Sequence, residues 1–475
     1  MKNPIALVAT LCLFSLVTRG AELRLGAAAV AINPPPGIGL AGYYHERGNE
    51  GVIDDIFAKA AVLDDGQTRA AIVVCDLISM PKWIVTEARQ RVEERTGIPA
   101  ANVMIAATHT HTAPVLFRES SRDESDGGSQ PIAKDYSRSL PTRIANAVTA
   151  ANERRLPASL SVGREMESQL AHNRRFWMRD GTVGWNPGKR NAQIIRPAGP
   201  IDPEVGVFYA ESLAVPPEPL LTFVNYAMHP DTTGGTRISA DYPGALSRAL
   251  ALYTGPEMLT LFANGTCGNI NHTDVRWSAG QTSPREAARL GTILAAAVFK
   301  AYPRLQPLTN TGPLRVRREV VKLPLPAFTP EQLEAARLDV RTAKDGTRDG
   351  FMKLVRAHRV LDVAAREGKP QEVEMQVITL SRDVAWVAWP GEIFVELGLS
   401  VKAGSPFPHT YNLELANGAI GYIPNKSAYP EGNYEVESAR VAEGSGEMLL
   451  ASALRMLAEL HAEAGVGSST NPGKP

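Results

Sequence analysis

The chain has 475 residues, with 50 Lys and Arg against 50 Asp and Glu, and 21% of it is charged. Zero net charge with no basic tract argues against nucleic acid or an anionic membrane surface as a partner. The length allows a large core in one or more structural units, while three cysteines are too few for a disulfide scaffold.

In chain order, Lys2 and the apolar run Ile5 to Val17, followed by Thr18-Arg19-Gly20-Ala21, read as a signal peptide over residues 1–20. No later stretch approaches the ~20 apolar residues a membrane span needs, so a secreted or periplasmic protein with no integral membrane segment is expected. Cys12 leaves with the signal peptide, and Cys75 and Cys267 remain either as one bridge or as two buried thiols. Phe57 to Leu63 and Arg69 to Cys75 read as strands around Asp64-Asp65-Gly66. A helix runs from Pro81 to Thr96 and ends at Gly97. Asn102 to Ala106 is a buried strand, and the polar stretch Arg118 to Ser129 reads as a mobile surface loop. A helix over Asp135 to Arg154, a strand over Leu221 to Met228, a helix after Pro243 and a strand over Met258 to Phe262 follow. Ser283-Pro284-Arg285-Glu286 and Thr329-Pro330-Glu331-Gln332 read as capping boxes. The first opens a helix to Ala301, the second a charged and mostly solvated helical segment to about Glu367. Strands over Val373 to Leu380 and Val384 to Trp389, an amphipathic helix over Glu447 to His461 and a disordered tail over 465–475 complete the chain. The alternation predicts an α/β fold: a single large unit, residues 21–464, of mixed β-sheets flanked by helices.

Chemistry gathers where these strands end. Ala107-Thr108-His109-Thr110-His111 follows one strand and holds two of only nine histidines. On an extended segment an i, i+2 pair points both rings to one side, and neutral imidazole is a common zinc ligand. Other strands end at His229, at the loop Asn264 to Asn271 and at Glu392. Each is ordinary alone, since a strand-end His is more often a hydrogen-bonded turn residue and a Glu after Pro-Gly is usually solvated. Four such ends converging on one sheet would make a metal site, because zinc takes three or four N, O or S ligands and keeps a position open for water. No helical His-Glu-x-x-His and no Cys-x-x-Cys is present, so the site has to be assembled from distant segments.

These residues resemble the neutral, non-lysosomal ceramidases, zinc-dependent amidases that cleave the N-acyl bond of ceramide. The resemblance rests on Thr108-His109-Thr110-His111, Asn173-Arg174-Arg175, Tyr226-Ala227-Met228-His229, Pro390-Gly391-Glu392 and Gly421-Tyr422-Ile423 with Tyr429 and Tyr434-Glu435, all in the family's order. It spans about Leu23 to Leu460. It implies one Zn²⁺ held by His109, His229, Glu392 and Tyr422. It makes His111 a neighbouring histidine that moves a proton to the leaving amine and Arg174 a contact for substrate or oxyanion. From the residues alone, Tyr422 reads more readily as a core tyrosine with a satisfied hydroxyl, and Arg174 and Arg175 as surface ion-pair residues. His172 and His272 read as turn groups, with His272 and Asp274 near enough to the glycine loop to meet substrate.

Two departures bear on substrate. Where the family carries an active-site serine this chain has Gly268-Asn269-Ile270-Asn271-His272, and an amide at Asn271 can hydrogen-bond but cannot act as a nucleophile. The resemblance also runs out near the end of the catalytic region, so a relative lacking the family's C-terminal immunoglobulin-like domain is expected. Aromatic residues make up 6%, and no Trp- or Phe-rich amphipathic helix suggests contact with lipid. The expectation is a metal-activated hydrolase of an N-acyl amide, ceramide-like or more polar, on a small-molecule or glycan- or lipid-derived substrate. The alternatives are hydrolysis of an ester or glycan linkage on the same scaffold, and a non-catalytic binding protein.

Overall fold

The computed structural model describes residues 23–309 and 312–466. The signal peptide expected over 1–20 and most of the tail expected from 465 lie outside the described residues. The fold is mixed α/β, as the alternation predicts. The largest sheet runs in the order Leu259–Asn264, Pro219–Tyr226, Glu204–Ser212, Leu156–Met166, Arg24–Ala31, Phe57–Asp64, Arg69–Cys75, Val103–Ala107. Its two terminal pairs are parallel and the others antiparallel. A second sheet has the order Leu314–Leu323, Gln371–Leu380, Val384–Ala388, His409–Leu413.

The large sheet is bent at its middle. Arg24–Ala31 meets Leu156–Met166 through only two residue pairs, Arg24 with Pro157 and Leu25 with Leu156. Its two ends come back together across the segment that follows His409–Leu413. Glu414 donates its backbone N–H to Asn264 O at 3.1 Å, and Asn417 donates to Ile105 O at 2.7 Å. Asn264 Nδ2 reaches Thr108 O at 3.3 Å. Strand ends 156 residues apart in sequence therefore meet at one point.

Period-2 alternation explains the layers. Ala61, Leu63, Ile72, Val74, Phe208 and Phe223 point inward and pack with Trp386 and Tyr411 of the second sheet. The alternate residues Ala60, Val62, Ala71 and Val73 pack on the outer face against helices α1 (Lys82–Thr96) and α2 (Pro131–Glu153). Helices α3 (Asp241–Thr254) and α4 (Pro284–Ala301) cover Val205, Val207, Val224 and Phe262 on the other half. Further along come α5 (Pro330–Thr342), α6 (Arg348–Ala364), α7 (Val395–Gly404), α8 (Tyr434–Ser438) and α9 (Ser445–Val466). No helix among the described residues is long and apolar enough to cross a membrane.

Several sequence expectations are corrected. The segment Thr329 to Glu367 is two helices, broken where Thr347 accepts Gly350 N–H and starts α6 afresh. Only α5 is largely solvated, whereas α6 buries Met352, Leu354, Val355, His358 and Val360. The stretch Arg118 to Ser129 is a structured wall. Asp123 is buried and accepts the N–H groups of Arg118 and Ser120 at 3.1 Å each, and buried Asp126 accepts Arg118 Nη1 at 3.1 Å and Gly128 N–H at 3.0 Å. The carboxylates supply the partners that a regular ladder would otherwise provide. Helix α2 starts at Pro131, earlier than Asp135, and α9 runs past His461 to Val466. Cys75 and Cys267 are free, buried thiols.

Candidate metal centre

His109 leaves the strand Val103–Ala107 through a turn. Its φ of +75° is left-handed, which a β-carbon makes costly by about 1–3 kcal/mol and which persists only where surrounding bonds enforce it. Those bonds are present: Thr108 N–H to Cys75 O and His109 N–H to Leu77 O, both 2.9 Å, and Thr110 Oγ1 to Ser239 O at 2.8 Å. The rings of His109 and His111 therefore converge, at 4.8 Å between centroids, because the backbone turns. The extended i, i+2 geometry expected from sequence is not what brings them together.

His229 arrives from the neighbouring strand end, its ring 4.6 Å from that of His109. Glu392 arrives after Pro390-Gly391, in a two-residue parallel pairing with Tyr422. Glycine is needed at two contacts: a β-carbon on Gly268 would sit 2.6 Å from Glu392 O, and one on Gly391 would sit 2.5 Å from Gly421 O. Gly268 N–H donates to Ile393 O at 2.7 Å, which ties the glycine loop directly to the glutamate segment.

The second nitrogen of each of two rings fixes its orientation. His109 Nδ1–H donates to Ile78 O at 2.7 Å, and His229 Nδ1–H to Cys267 O and Ile270 O, both 2.8 Å. That leaves both Nε2 lone pairs facing inward. Glu392 Oε2 lies 3.3 Å from His109 Nε2 and 3.4 Å from His229 Nε2, and His111 Nε2 lies 3.4 Å from His109 Nε2. Glu392 Oε2 is buried with no hydrogen-bond partner. Tetrahedral zinc with bonds of about 2.0–2.1 Å separates its donors by roughly 3.3–3.4 Å. The orphaned oxygen and the spacing of these donors fit a divalent metal of that kind. His109, His111 and His229 are also the histidines whose ligand atoms all lie within 4.8 Å of one another.

The electrostatics agree. Burial opposes charge on Glu392, yet the imidazoles of His109 and His229 hold its carboxyl well below the usual range. Burial lowers His109, but Glu392 outweighs it and raises the ring. Burial and then Arg174 push His229 well down, and burial and then His109 do the same to His111. Burial thus favours the neutral imidazole at His229 and His111.

Arg174 and Arg175 are buried, contrary to a surface ion-pair reading. Arg174 donates to Glu435 Oε1 at 2.8 Å, Gly268 O at 2.6 Å and the Tyr422 hydroxyl at 3.0 Å, and its Nη1 lies 3.4 Å from His229 Nε2. Arg175 donates to the other Glu435 oxygen at 2.9 Å and to Glu431 at 3.0 Å. Tyr422 thus stands beside Glu392 with Arg174 on its hydroxyl, and burial raises its phenol well above the ordinary value. Asn271 is not drawn into the cluster: its amide donates to Asn186 Oδ1 at 3.1 Å and accepts Thr273 N–H at 3.0 Å. His272 is buried with both ring nitrogens unpartnered, and Asp274 is turned onto Arg276.

Sequence reading missed Glu414. It is fully buried, accepts the N–H groups of Cys267 at 2.9 Å and Ile393 at 3.2 Å, and takes the Cys267 thiol at 2.9 Å. Burial pushes its carboxyl up to about 7. Its only sequence signal was an acidic residue inside the apolar run Tyr411 to Ala416.

A cavity of about 640 Å³ opens over the cluster, with His109, His111, Glu392 and Tyr422 in its lining and the Arg118–Arg122 segment and α6 forming a wall. That volume suits a small organic ligand.

No family model matches the chain, and no curated protein matches it in sequence. Two solved structures do share its architecture. One is the neutral ceramidase from Pseudomonas aeruginosa, with a TM-score of 0.73 and 17% identity over 93% of this chain and 75% of that one. The other, described as a ceramidase complexed with C2, gives 0.73 and 16% over 93% and 76%. At this identity the likeness is one of architecture, and the chain has the fold of the neutral ceramidases.

Proposed function

We propose that the protein is a zinc-dependent amidohydrolase of the neutral ceramidase family, exported by the signal peptide at 1–20 and acting through the unit 21–464. The observation that carries this reading is the buried, unpartnered Glu392 Oε2 between two imidazole nitrogens whose other faces are locked onto carbonyls, at donor spacings suited to zinc. The ceramidase fold around it supports amide hydrolysis over other uses of a metal.

In this reading His109, His229 and Glu392 hold the metal, with Tyr422 as the fourth ligand. When bound, zinc would supply Lewis acidity, lowering the pKa of a water and polarising the scissile carbonyl. His111 is neutral, lines the cavity and is positioned to take a proton on Nε2 and pass it to the leaving amine. Arg174, paired with the buried Glu435 carboxylate, orients the Tyr422 hydroxyl and supplies positive potential beside the metal cluster. The turn at Leu77–Ile78 and the loop Cys267–Ile270 fix the two ring tautomers through their carbonyls. Asn271 holds the loop in place through Asn186 and Thr273 instead of attacking substrate. A second ligand set, with His111 replacing Tyr422, is favoured by the mutual spacing of the three histidines.

Metal analysis of wild type beside His109→Ala, with a panel of N-acyl amides, tests the proposal. Wild type should retain about one zinc per chain and lose amide cleavage on chelation, and His109→Ala should retain little metal. A wild type that binds no divalent metal, or cleaves equally well with chelator present, would sink it.

A further inference from the structure

The cavity's charges are not all spoken for. Among its lining residues Arg118 pairs with Asp126 at 3.1 Å and Arg440 with Asp362 at 2.7 Å. Of the acids, Glu372 pairs with Lys322 at 3.4 Å, and Glu374 with Arg89 at 2.8 Å and Arg318 at 3.3 Å. Lys82, Arg122 and Arg366 also line the cavity, and none has a carboxylate within 4.0 Å among the described residues; of the acids away from the metal cluster, only Glu119 is likewise unmatched. Arg122 is held in place without being neutralised. Its guanidinium lies 4.0 Å over the Tyr44 ring, one nitrogen donates to Tyr43 O at 2.7 Å, and its Nε is buried and unpartnered. Among the described residues the Arg366 guanidinium donates only to Pro370 O, at 3.2 Å, and its Nε is also buried and unpartnered.

A buried histidine stands behind these cations on the same wall. His358 of α6 is hydrogen-bonded through Nδ1 to the Ser121 hydroxyl at 2.9 Å and is faced by Arg122, Arg440, Tyr44, Asp362 and Asp126. Burial, then Arg122, pushes this imidazole down to about 4, while Asp362 and Asp126 act against the shift. Ile78, Met80, Leu361, Val373 and Ile420 add an apolar strip to a lining that also carries Ser79, Gln371 and Asn417. One cavity thus offers the metal cluster at its floor, a hydrocarbon surface, and cations without counter-ions.

We propose that the substrate is an N-acyl amide whose amine half carries an anion, a carboxylate or a sulfonate, held by Arg122 together with Arg366 and Lys82. This rests on the amidase reading above. Hydrolysis breaks the amide C–N bond, places the water oxygen on the acyl carbon and leaves the protons on the released amine. A single acyl chain lies along the apolar residues while the anion takes charge-assisted hydrogen bonds from the wall. A neutral two-chain lipid offers these cations no charged partner.

Three amides separate the possibilities: N-lauroylglycine, N-lauroyltaurine and N-lauroylglycine methyl ester, with a short-chain ceramide as reference. Wild type should prefer at least one anion over the methyl ester by about tenfold or more in kcat/KM, and the glycine and taurine arms report whether carboxylate or sulfonate is preferred. Arg122→Gln and Arg366→Gln should each cut the anion-to-ester ratio several-fold, a ratio that corrects for any loss of folded enzyme. Lys82→Ala, at an exposed position, is a third variant that leaves the core intact. A wild-type ratio near one, preference for the ceramide, or a ratio unmoved in all three variants would overturn the anion site. If no amide is cleaved, the amidase reading fails by itself. Calorimetry of the zinc-loaded protein with N-lauroylglycine and its ester then decides the anion site, which stands only if the acid binds about tenfold tighter and Arg122→Gln removes the difference.

Discussion

The floor and the wall of the cavity are built on different principles. The floor is made of strand ends held by main-chain bonds: His109 on Ile78 O, His229 on Cys267 O and Ile270 O, Glu392 placed by Gly421 O and the Gly268 contact. Main-chain anchors leave little freedom for side-chain replacement nearby. The wall is a helix and a loop held by side chains, with Ser121 on His358 and Asp362, Arg118 on Asp126, and Arg122 over Tyr44. Such a wall can change its chemistry without moving the floor. A shared fold can therefore keep one reaction centre and admit a different substrate, and function is argued from the site and not from the fold.

The sharpest way to break this contrast is at His111 and Tyr422. His111→Ala should retain zinc and lower kcat by about 10²–10⁴-fold, the range of a lost general acid. Tyr422→Phe should weaken zinc retention. Should His111→Ala lose the metal and Tyr422→Phe keep it, the three-histidine set is the correct one. Metal content by mass spectrometry beside steady-state rates decides between them.

A smaller effect is expected at Glu414. Among the described residues it makes no hydrogen bond to a proposed ligand side chain, yet it holds the Cys267 and Ile393 backbones on either side of the site. Glu414→Ala should weaken zinc by about 10–100-fold, as loss of a ligand's supporting partner does. A competition titration with a chromophoric chelator measures it. Unchanged affinity would show that the floor does not depend on this clamp.

The smallest effect belongs to the wall and is set by pH. His358 ordinarily titrates near 6.5 and in the folded protein not until about 4. Between those values the unfolded chain binds a proton that the folded one excludes. Its contribution to stability is then complete above about pH 6.5 and is lost progressively toward pH 4. Amide exchange in residues 118–129 should speed up relative to the strands over that window. Ser121→Ala, which removes one hydrogen bond worth about 1 kcal/mol, should speed it at neutral pH as well. Uniform exchange change across floor and wall would erase the distinction.

Much of the site was legible in the sequence because its residues sit at strand ends, where periodicity stops and short motifs stand out. His109, His111, His229 and Glu392 were all picked out on that ground, and the structure brings them within a few ångströms. Arg174 was legible as a residue but not as a buried one, because its partner Glu435 is 261 positions away. Glu414 escaped because burial of a charge carries no local signature. The loop Arg118 to Ser129 misled because polar composition looks the same whether Asp side chains face water or satisfy the backbone.

The sequence by itself determined the strands around Asp64-Asp65-Gly66, the helix ending at Gly97, the capping of α4 and α5, and which side chains could bind metal, since these rest on contacts within a few residues. Only the tertiary structure decided that strand ends far apart in the chain share one point, that His109 turns through a left-handed conformation to meet His229, and that cations line the space above them. Those outcomes depend on the bent sheet closing across Glu414–Asn417. Closure of that kind is set by packing over long range, which no local pattern of residues encodes.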